Sequence, residues 1–418
     1  MKVLQINTVF RNGGSTGRIA YDLMQIQKQE GIEAYAAYGY ETGAPHTDNT
    51  ICLQSTLRRK INILRTRLFD HHGFYNEAET RKLIRWMDEI HPDIIHLHNI
   101  HNHYVNVKML FEYIKMHDIP VVWTLHDCWS FTGHCAYFDF ADCDKWKLGC
   151  HDCPSLKDYP PTWFFDRTRR NYKDKKIVFT GVKNLTLVTP SEWLAHLTRE
   201  SFLKDYPVEV INNGVDTNVF KPTVSDIKKK LGIEGKKVIL SVVNMWGGRK
   251  GSEYLVKLAS LLSDDEVIVV VGMQPSQMKY LVPEKMIGIQ RTNSVQELAM
   301  FYSAADVFVI PTLEDNFPTT NIESLACGTP VVTFNTGGSV ESVLDAGINI
   351  TSSDVCETKY GIIVPQGDVY SLRKALKEVI LKGKAYYQNN CVEKVRLSYN
   401  KNEQYKRYIN LYNMVVKK

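Results

Sequence analysis

Asp315 and Glu323 stand eight residues apart in the stretch EDNFPTTNIESLACGTPVV, on either side of a polar loop. Two carboxylates so placed either form an acid/base pair that breaks a bond or act as fixed acceptors that hold a ligand. Cations come earlier in the chain. In NMWGGRKGSEYL two glycines precede Arg249 and Lys250 just before a helix. Arg binds a diphosphate by paired hydrogen bonds and Lys as a compact charge; a solvated basic turn is the plainer reading. Near the start, RNGGSTGR sets Gly13, Gly14 and Gly17 beside the hydroxyls of Ser15 and Thr16. A phosphate or a sugar fits against such a loop, and a plain tight turn explains it equally well. His126 and Asp127 close the run VVWTLHD. A histidine there serves structure more often than catalysis, with Asp127 as its orienting group or as an acceptor contact.

Cys135, Cys143, Cys150 and Cys153 fall within one short segment, the last two as C-x-x-C. Four thiolates so dense suit a tetrahedral structural zinc ion, and packed free thiols are the alternative. HLHNIHNHY adds His96, His98, His101 and His103, which suit a rim facing an acceptor better than a metal site, since no carboxylate or cysteine completes a ligand set.

Elements must hold these groups. Short β-rich runs alternate with helix-period segments, the pattern of parallel sheets covered by helices. One set of strands runs from KVLQINTVF to NLTLVTPS and a second from KKVILSVVN to GIIVP. Between them KDYPVEVINNGVDTNVFKPTVSD is rich in Asn, Pro and Asp. The reading is therefore α/β: a Rossmann-like domain over 1–205 with a Cys-rich insertion near 128–160, a linker over 206–222, and a second Rossmann-like domain over 223–398. A C-terminal helix over 399–418, with Tyr405, Tyr408, Ile409, Tyr412 and Val415 at helical spacing, packs across both. Ligands bind doubly wound sheets at the carboxyl ends of strands, and the candidate residues follow strands.

The motifs NGGSTGR, VWTLHD, VTPSEWL, VINNGVD, RKG, YSAADVFVIPTLEDNFPTTNIESLACGTPVV, NTGGSVESV and GIIVPQGD occur in one order along nearly the whole chain. That arrangement resembles the retaining nucleotide-sugar transferases of glycosyltransferase family 4. TLHDCWSFTGHC and the cysteine segment are most similar to those that build bacterial exopolysaccharides such as colanic acid. The resemblance implies the GT-B fold, two doubly wound domains facing across a cleft with the C-terminal helix crossing back to the first. It also implies a retaining transferase that moves a sugar from a nucleoside diphosphate sugar to a growing, lipid-linked glycan of a capsule, exopolysaccharide or O-antigen.

Residue by residue, the resemblance gives Glu323 the ribose, with Asp315 in place of the family's first glutamate and Glu314 beside it to compensate. Backbone amides of Asn316, Phe317, Pro318, Thr319 and Thr320 mark the sugar and phosphate pocket, Pro318 contributing position only since it has no N–H. Lys250 matches the phosphate lysine, Met245 stands where the family has arginine, and Arg249 is the substitute. His126 contacts the transferred sugar, with Asp127 and Asp315 grouped with it at the reaction centre. Gly14 and Ser15 add to the donor site, and contacts around Arg291, Thr292 and the Asp315 loop select the donor. No cofactor is required for catalysis. An epimerase or phosphorylase of the same shape, or a noncatalytic nucleotide-sugar-binding scaffold, is the alternative.

Whole-chain properties set the bounds. A length of 418 residues suits two domains, and 44% hydrophobic with 23% charged residues fits a soluble globular protein. A net charge of +5 is too mild to point to nucleic acid. No apolar run nears the ~20 residues of a membrane span, and Gln5 and Asn7 interrupt what would otherwise resemble a leader, so a cytoplasmic location is expected. LRRKINILRTRLF mixes Arg58, Arg59, Lys60, Arg65 and Arg67 with apolar residues. It reads as an amphipathic helix on an anionic inner membrane face or as an ordinary surface helix.

Overall fold

The structure is a computed structural model that describes residues 1–11, 14–41, 47–243 and 245–417. Gly13 of the glycine loop lies outside the described residues. The chain divides into two compact units, one formed by Met1–Asn212 together with the segment from Tyr405 onward, the other by Asn213–Gln404.

The first unit is built on strands β1 (Lys2–Asn7), β2 (Glu33–Tyr38), β3 (Thr50–Cys52), β4 (Ile94–Leu97), β5 (Val121–Thr124), β6 (Leu185–Thr189) and β7 (Val208–Val210). They pair in the order β3-β2-β1-β4-β5-β6-β7, all parallel. β4, β5 and β6 are buried at every position because helices cover both faces, so their sequences read as near-continuous apolar runs. Val208–Val210, expected in the linker, is instead the seventh strand of this sheet.

The second unit holds β8 (Lys237–Val242), β9 (Glu266–Val271), β10 (Met286–Ile289), β11 (Val307–Ile310), β12 (Val331–Phe334), β13 (Cys356–Thr358) and β14 (Gly361–Val364). Their order is β10-β9-β8-β11-β12-β14-β13, and only β13 runs antiparallel to its neighbour. In each sheet the order of the parallel strands reverses near the centre, between β1 and β4 and between β8 and β11. Loops leaving the carboxyl ends of the strands beside such a reversal diverge and leave room for a ligand.

The helix Lys401–Val416 supplies Tyr405, Tyr408, Ile409, Leu411, Tyr412 and Val415 to the core of the first unit, against Val3, Ile19, Leu23, Ile94, Val122 and Val188. The cysteine segment carries only the short 3-10 turns Trp129–Phe131, Asp139–Ala141 and Lys145–Lys147. An aromatic cluster of Phe131, Phe138 and Trp146 holds it, with ring centroids 5.0 to 6.4 Å apart.

Candidate active site

In the second unit, the loop after β8 and the loop after β11 are joined into one structure. Arg249 O accepts from Leu313 N at 2.6 Å and from Thr312 Oγ1 at 3.1 Å, and Arg249 Nη1 donates to Glu314 O at 2.9 Å. Gly251 makes this approach possible. Its φ is +65°, and a Cβ there would sit 1.8 Å from Pro311 O. Lys250 Nζ, carried by the same turn, pairs with the Asp315 carboxylate. Both side chains are largely buried, with 18% and 13% of their surface exposed. Burial alone would raise the Asp315 carboxyl, but Lys250 and then Arg249 more than offset this and hold it below its usual range. Burial also pulls down the Lys250 ammonium, against the opposing pull of Asp315.

A third loop closes the arrangement. Asp315 O accepts from Gly338 N at 2.9 Å, and Thr336 Oγ1 donates to Leu313 O at 2.7 Å, fixing the segment after β12 against the loop after β11. Pro318 then opens the helix Thr319–Ala326, whose first amides lack helical partners and favour an anion. One turn in, Glu323 is nine-tenths buried, and one carboxylate oxygen accepts from Tyr302 OH at 3.0 Å. Burial and then Glu323 push the Tyr302 phenol well up, so it stays a donor.

The structure therefore brings Arg249, Lys250, Glu314, Asp315, Asn316, Pro318, Thr319, Thr320 and Glu323 into one connected region at the switch point of the second sheet. Glu314 is fully buried and meets Arg249 through its carbonyl. Phe317 is a core side chain, its ring centroid 5.5 Å from that of Tyr399. Met245, at the family's arginine position, is 49% exposed. Arg291 is exposed after β10, and among the described residues no hydrogen bond or ion pair ties Arg291 or Thr292 to the cluster. Tyr302 was not foreseen, although it begins the quoted run YSAADVF; its partner lies on another helix.

In the first unit, Gly14 precedes the helix Ser15–Gln29 with φ +99°, a conformation open to glycine, and Ser15 is exposed. His126 lines a pocket with His98, Asn99, His101, Asp127 and Trp129. Its Nε2 lies 3.1 Å from His98 Nδ1. Burial first of all lowers the His126 pKa to about 4, with Asp127 opposing. Asp127 does not orient His126: its carboxylate meets His101 Nε2 at 2.9 Å and Trp129 N at 3.0 Å. Burial would raise the Asp127 carboxyl, and His101 with the hydrogen bonds brings it below its usual value. Of the histidine run, His98 and His101 share this pocket while buried, His96 is buried away from its lining, and His103 Nδ1 bonds Thr66 Oγ1 at 2.8 Å.

Cys135, Cys143, Cys150 and Cys153 line one small cavity, and the described cysteines are free thiols. Gly133 N donates to Cys150 Sγ at 3.1 Å. The Cys135 thiol donates to Cys153, which lowers Cys153 to about 7 and raises Cys135. Among the described residues no group of three or more His, Cys, Asp or Glu side chains is found that could hold a metal ion. Lys175 had no sequence signal. It is buried over the Trp129 ring and donates to Trp129 O at 2.7 Å and Thr132 O at 3.0 Å, and burial pulls its pKa down to about 7.

Two family models match the chain in succession. One is described as Glycosyltransferase Family 4, over residues 16–219, and the other as Glycosyl transferases group 1, over residues 236–382. Among curated proteins, the "Putative colanic acid biosynthesis glycosyl transferase WcaC" of Escherichia coli (strain K12) is 27% identical over 368 residues, 85% of this chain and 88% of that protein. A D-inositol 3-phosphate glycosyltransferase of Mycobacteroides abscessus is 25% identical over 197 residues, 44% of this chain and 42% of that protein. Among solved structures, sucrose-phosphate synthase from Thermosynechococcus elongatus matches with a TM-score of 0.73 at 17% identity, covering 99% of each chain. Anabaena Alr3699/HepE in complex with UDP matches with a TM-score of 0.66 at 14% identity, over 99% of this chain and 100% of that one. These structures establish the GT-B fold. The chain belongs to the group 1, family 4 glycosyltransferases.

Proposed function

We propose that this glycosyltransferase transfers a sugar, with retention of configuration, from a nucleoside diphosphate sugar to a growing glycan in bacterial exopolysaccharide synthesis. The observation that carries the donor assignment is the switch-point cluster, where Arg249 and Lys250 share one hydrogen-bonded loop system with Asp315 and lie near the start of the Glu323 helix. In this reading Arg249 and Lys250 neutralise the departing diphosphate, and the amides opening the helix at Thr319 add donors. Glu323, its one oxygen fixed by Tyr302, accepts from ribose hydroxyls. His126 keeps the role the resemblance gives it, contact with the transferred sugar. The leaving phosphate takes the acceptor proton, so no protein nucleophile is required. Support comes from the relative named for colanic acid biosynthesis and from the solved neighbour bound to UDP.

The acceptor is proposed to be lipid-linked and met at an anionic membrane surface. The helix Thr56–Phe69 supports this because it is inverted: it buries Asn62 and Thr66 and exposes Leu57, Ile61, Leu64 and Phe69. Phe69 stacks on Phe165 at 5.9 Å beside exposed Trp163 and Phe164, and the same helix carries exposed Arg58, Lys60 and Arg65. No described helix is long and apolar enough to cross a membrane. A structural zinc ion at the four cysteines is a separate proposal, supported by four cysteine residues lining one cavity, and it requires metal bonds in place of the Cys135 to Cys153 contact.

The test is incubation with a panel of nucleotide sugars, with and without membrane extract, following nucleotide release and glycolipid product. Release that depends on the extract, with label in lipid, supports transfer. Donor binding without turnover identifies a scaffold, and a changed sugar nucleotide without acceptor identifies an epimerase.

A further inference from the structure

A chain of buried polar groups runs from His126 through the first unit to its last helix. His98 Nδ1 faces His126 Nε2 at 3.1 Å, and the two rings lie 15° from parallel. The other nitrogen of His98, Nε2, lies 3.0 Å from Gln5 Oε1 on β1. Gln5 Nε2 donates to Gln27 Oε1 at 3.1 Å, and Gln27 Nε2 donates to Tyr412 OH at 3.0 Å. Tyr412 OH in turn meets His96 Nδ1 at 2.7 Å, His96 Nε2 meets Thr124 Oγ1 at 2.8 Å, and Thr124 donates to Tyr408 OH at 3.1 Å. Gln5, Gln27, His96, His98, Thr124 and Tyr412 are each at most 1% exposed.

Such a chain has a direction. An amide oxygen only accepts and an amide nitrogen only donates, whereas a neutral imidazole carries one N–H and one lone pair. Gln5 spends its N–H on Gln27, so its oxygen faces His98 and His98 Nε2 must carry the proton. Burial keeps His98 neutral, so its Nδ1 is a lone pair that takes a hydrogen bond from His126. The far end agrees: Gln27 donates to the Tyr412 oxygen, which leaves the Tyr412 proton for His96 Nδ1 and the His96 Nε2 proton for Thr124. We infer that His98, backed by Gln5, Gln27 and Tyr412, is a positioning residue that fixes His126 as the Nε2–H tautomer and leaves Nδ1 to accept a hydrogen bond from a hydroxyl of the transferred sugar. This rests on the reading that His126 contacts that sugar.

The tautomer is read on the full chain without substrate. With histidine labelled by nitrogen-15, two-bond proton–nitrogen correlation at pH 7 assigns the protonated nitrogen of each ring, and His126→Asn and His98→Asn identify the signals. The expected result is Nε2–H on both rings. An Nδ1–H form of His126, or an exchanging mixture in the wild type, overturns the inference. Tyr412→Phe removes one hydroxyl from the far end of the chain and should convert the His126 signal into a mixture; an unchanged signal removes the far end from the device. The kinetic arm uses UDP release from UDP-glucose, or from whichever nucleotide sugar is turned over. His98→Leu should lower kcat by about a hundredfold, the scale of a misplaced reacting group, with UDP affinity within about threefold of wild type. His98→Asn, whose side-chain oxygen takes the place of Nδ1, should recover most of that loss. A His98→Leu enzyme with normal kcat overturns the positioning role even if the tautomer is as expected. If His98→Leu does not fold, Tyr412→Phe and His98→Asn decide the question alone. A protein with no transferase activity still yields the tautomer, so failure of the functional reading and failure of this inference are distinguishable.

Discussion

Breaking the Lys250–Asp315 pair should separate stability from ligand binding. Removing one member of a buried ion pair costs about 3–5 kcal/mol because the other is left uncompensated. Here the two side chains keep 18% and 13% exposure, so water reaches part of the freed charge. Lys250→Met leaves Asp315 with Arg249 still acting on it, and we expect a loss of about 2 kcal/mol. Asp315→Asn leaves Lys250 against Arg249 with like charges, and we expect about 3 kcal/mol. The double variant Lys250→Met/Asp315→Leu should return to within about 1 kcal/mol of wild type. Urea unfolding followed by Trp246, the sole tryptophan between residues 213 and 404, reads the stability. Calorimetry with UDP reads the site: Lys250→Met should lose about ten- to a hundredfold in affinity, the worth of a charge-assisted hydrogen bond. Asp315→Asn should bind UDP as well as wild type or more tightly, because the competing anion is gone. Equal stabilities across the cycle refute the ion-pair argument. An Asp315→Asn variant that loses UDP as severely as Lys250→Met refutes the assignment of the cations to the diphosphate.

Glu323→Gln should raise the donor dissociation constant about ten- to a hundredfold, and Tyr302→Phe by less, since the phenol only fixes one oxygen; unchanged affinity in Glu323→Gln counts against the ribose role. Replacing Trp163, Phe164 and Phe165 with Ser, or Arg58 and Lys60 with Gln, should weaken sedimentation with anionic liposomes, the second change mainly at low salt; equal binding to neutral vesicles in every variant sinks the membrane proposal. Protein purified without added metal should carry near-stoichiometric zinc by elemental analysis, and four titratable thiols with no metal in the folded protein would end that reading. Burial first of all holds His96 and His103 neutral with pKa near 3, against about 6.5 in the unfolded chain. Stability is therefore fully present above pH 6.5 and is lost as the pH falls toward 3, at about 1.4 kcal/mol per pH unit for each histidine. Urea midpoints between pH 6.5 and 5 should show that slope, reduced in His96→Gln; a flat profile would mean these rings are already paired with solvent.

The sheets were legible because their central strands are buried on both faces and read as apolar runs. β3, β7 and β13 were missed, since three residues at a sheet edge carry no period. The donor-side residues stood out because glycines, prolines and charges gather where loops leave strands, as at Gly251, Lys250 and Asp315. Tyr302 and the chain behind His126 were hidden for the opposite reason. Gln5 reads as an interruption of an apolar strand, and its meaning depends on Gln27 and on Tyr412, the last pair 385 residues apart. Separation of that size leaves no local pattern, and only the fold brings the hydrogen-bond partners together.

The seating of Tyr405, Tyr408, Ile409, Tyr412 and Val415 in the core of the first unit sets an order of events during synthesis. The ribosome delivers residues 1–212 long before these side chains exist, and for that interval Ile19, Leu23, Ile94, Val122 and Val188 lack part of their cover. The second unit, continuous in sequence, has all its parts before the first does. A fragment ended at Asn212 would expose an apolar face and leave Gln27 and His96 without the Tyr412 hydroxyl. The half of the protein made first is thus completed last.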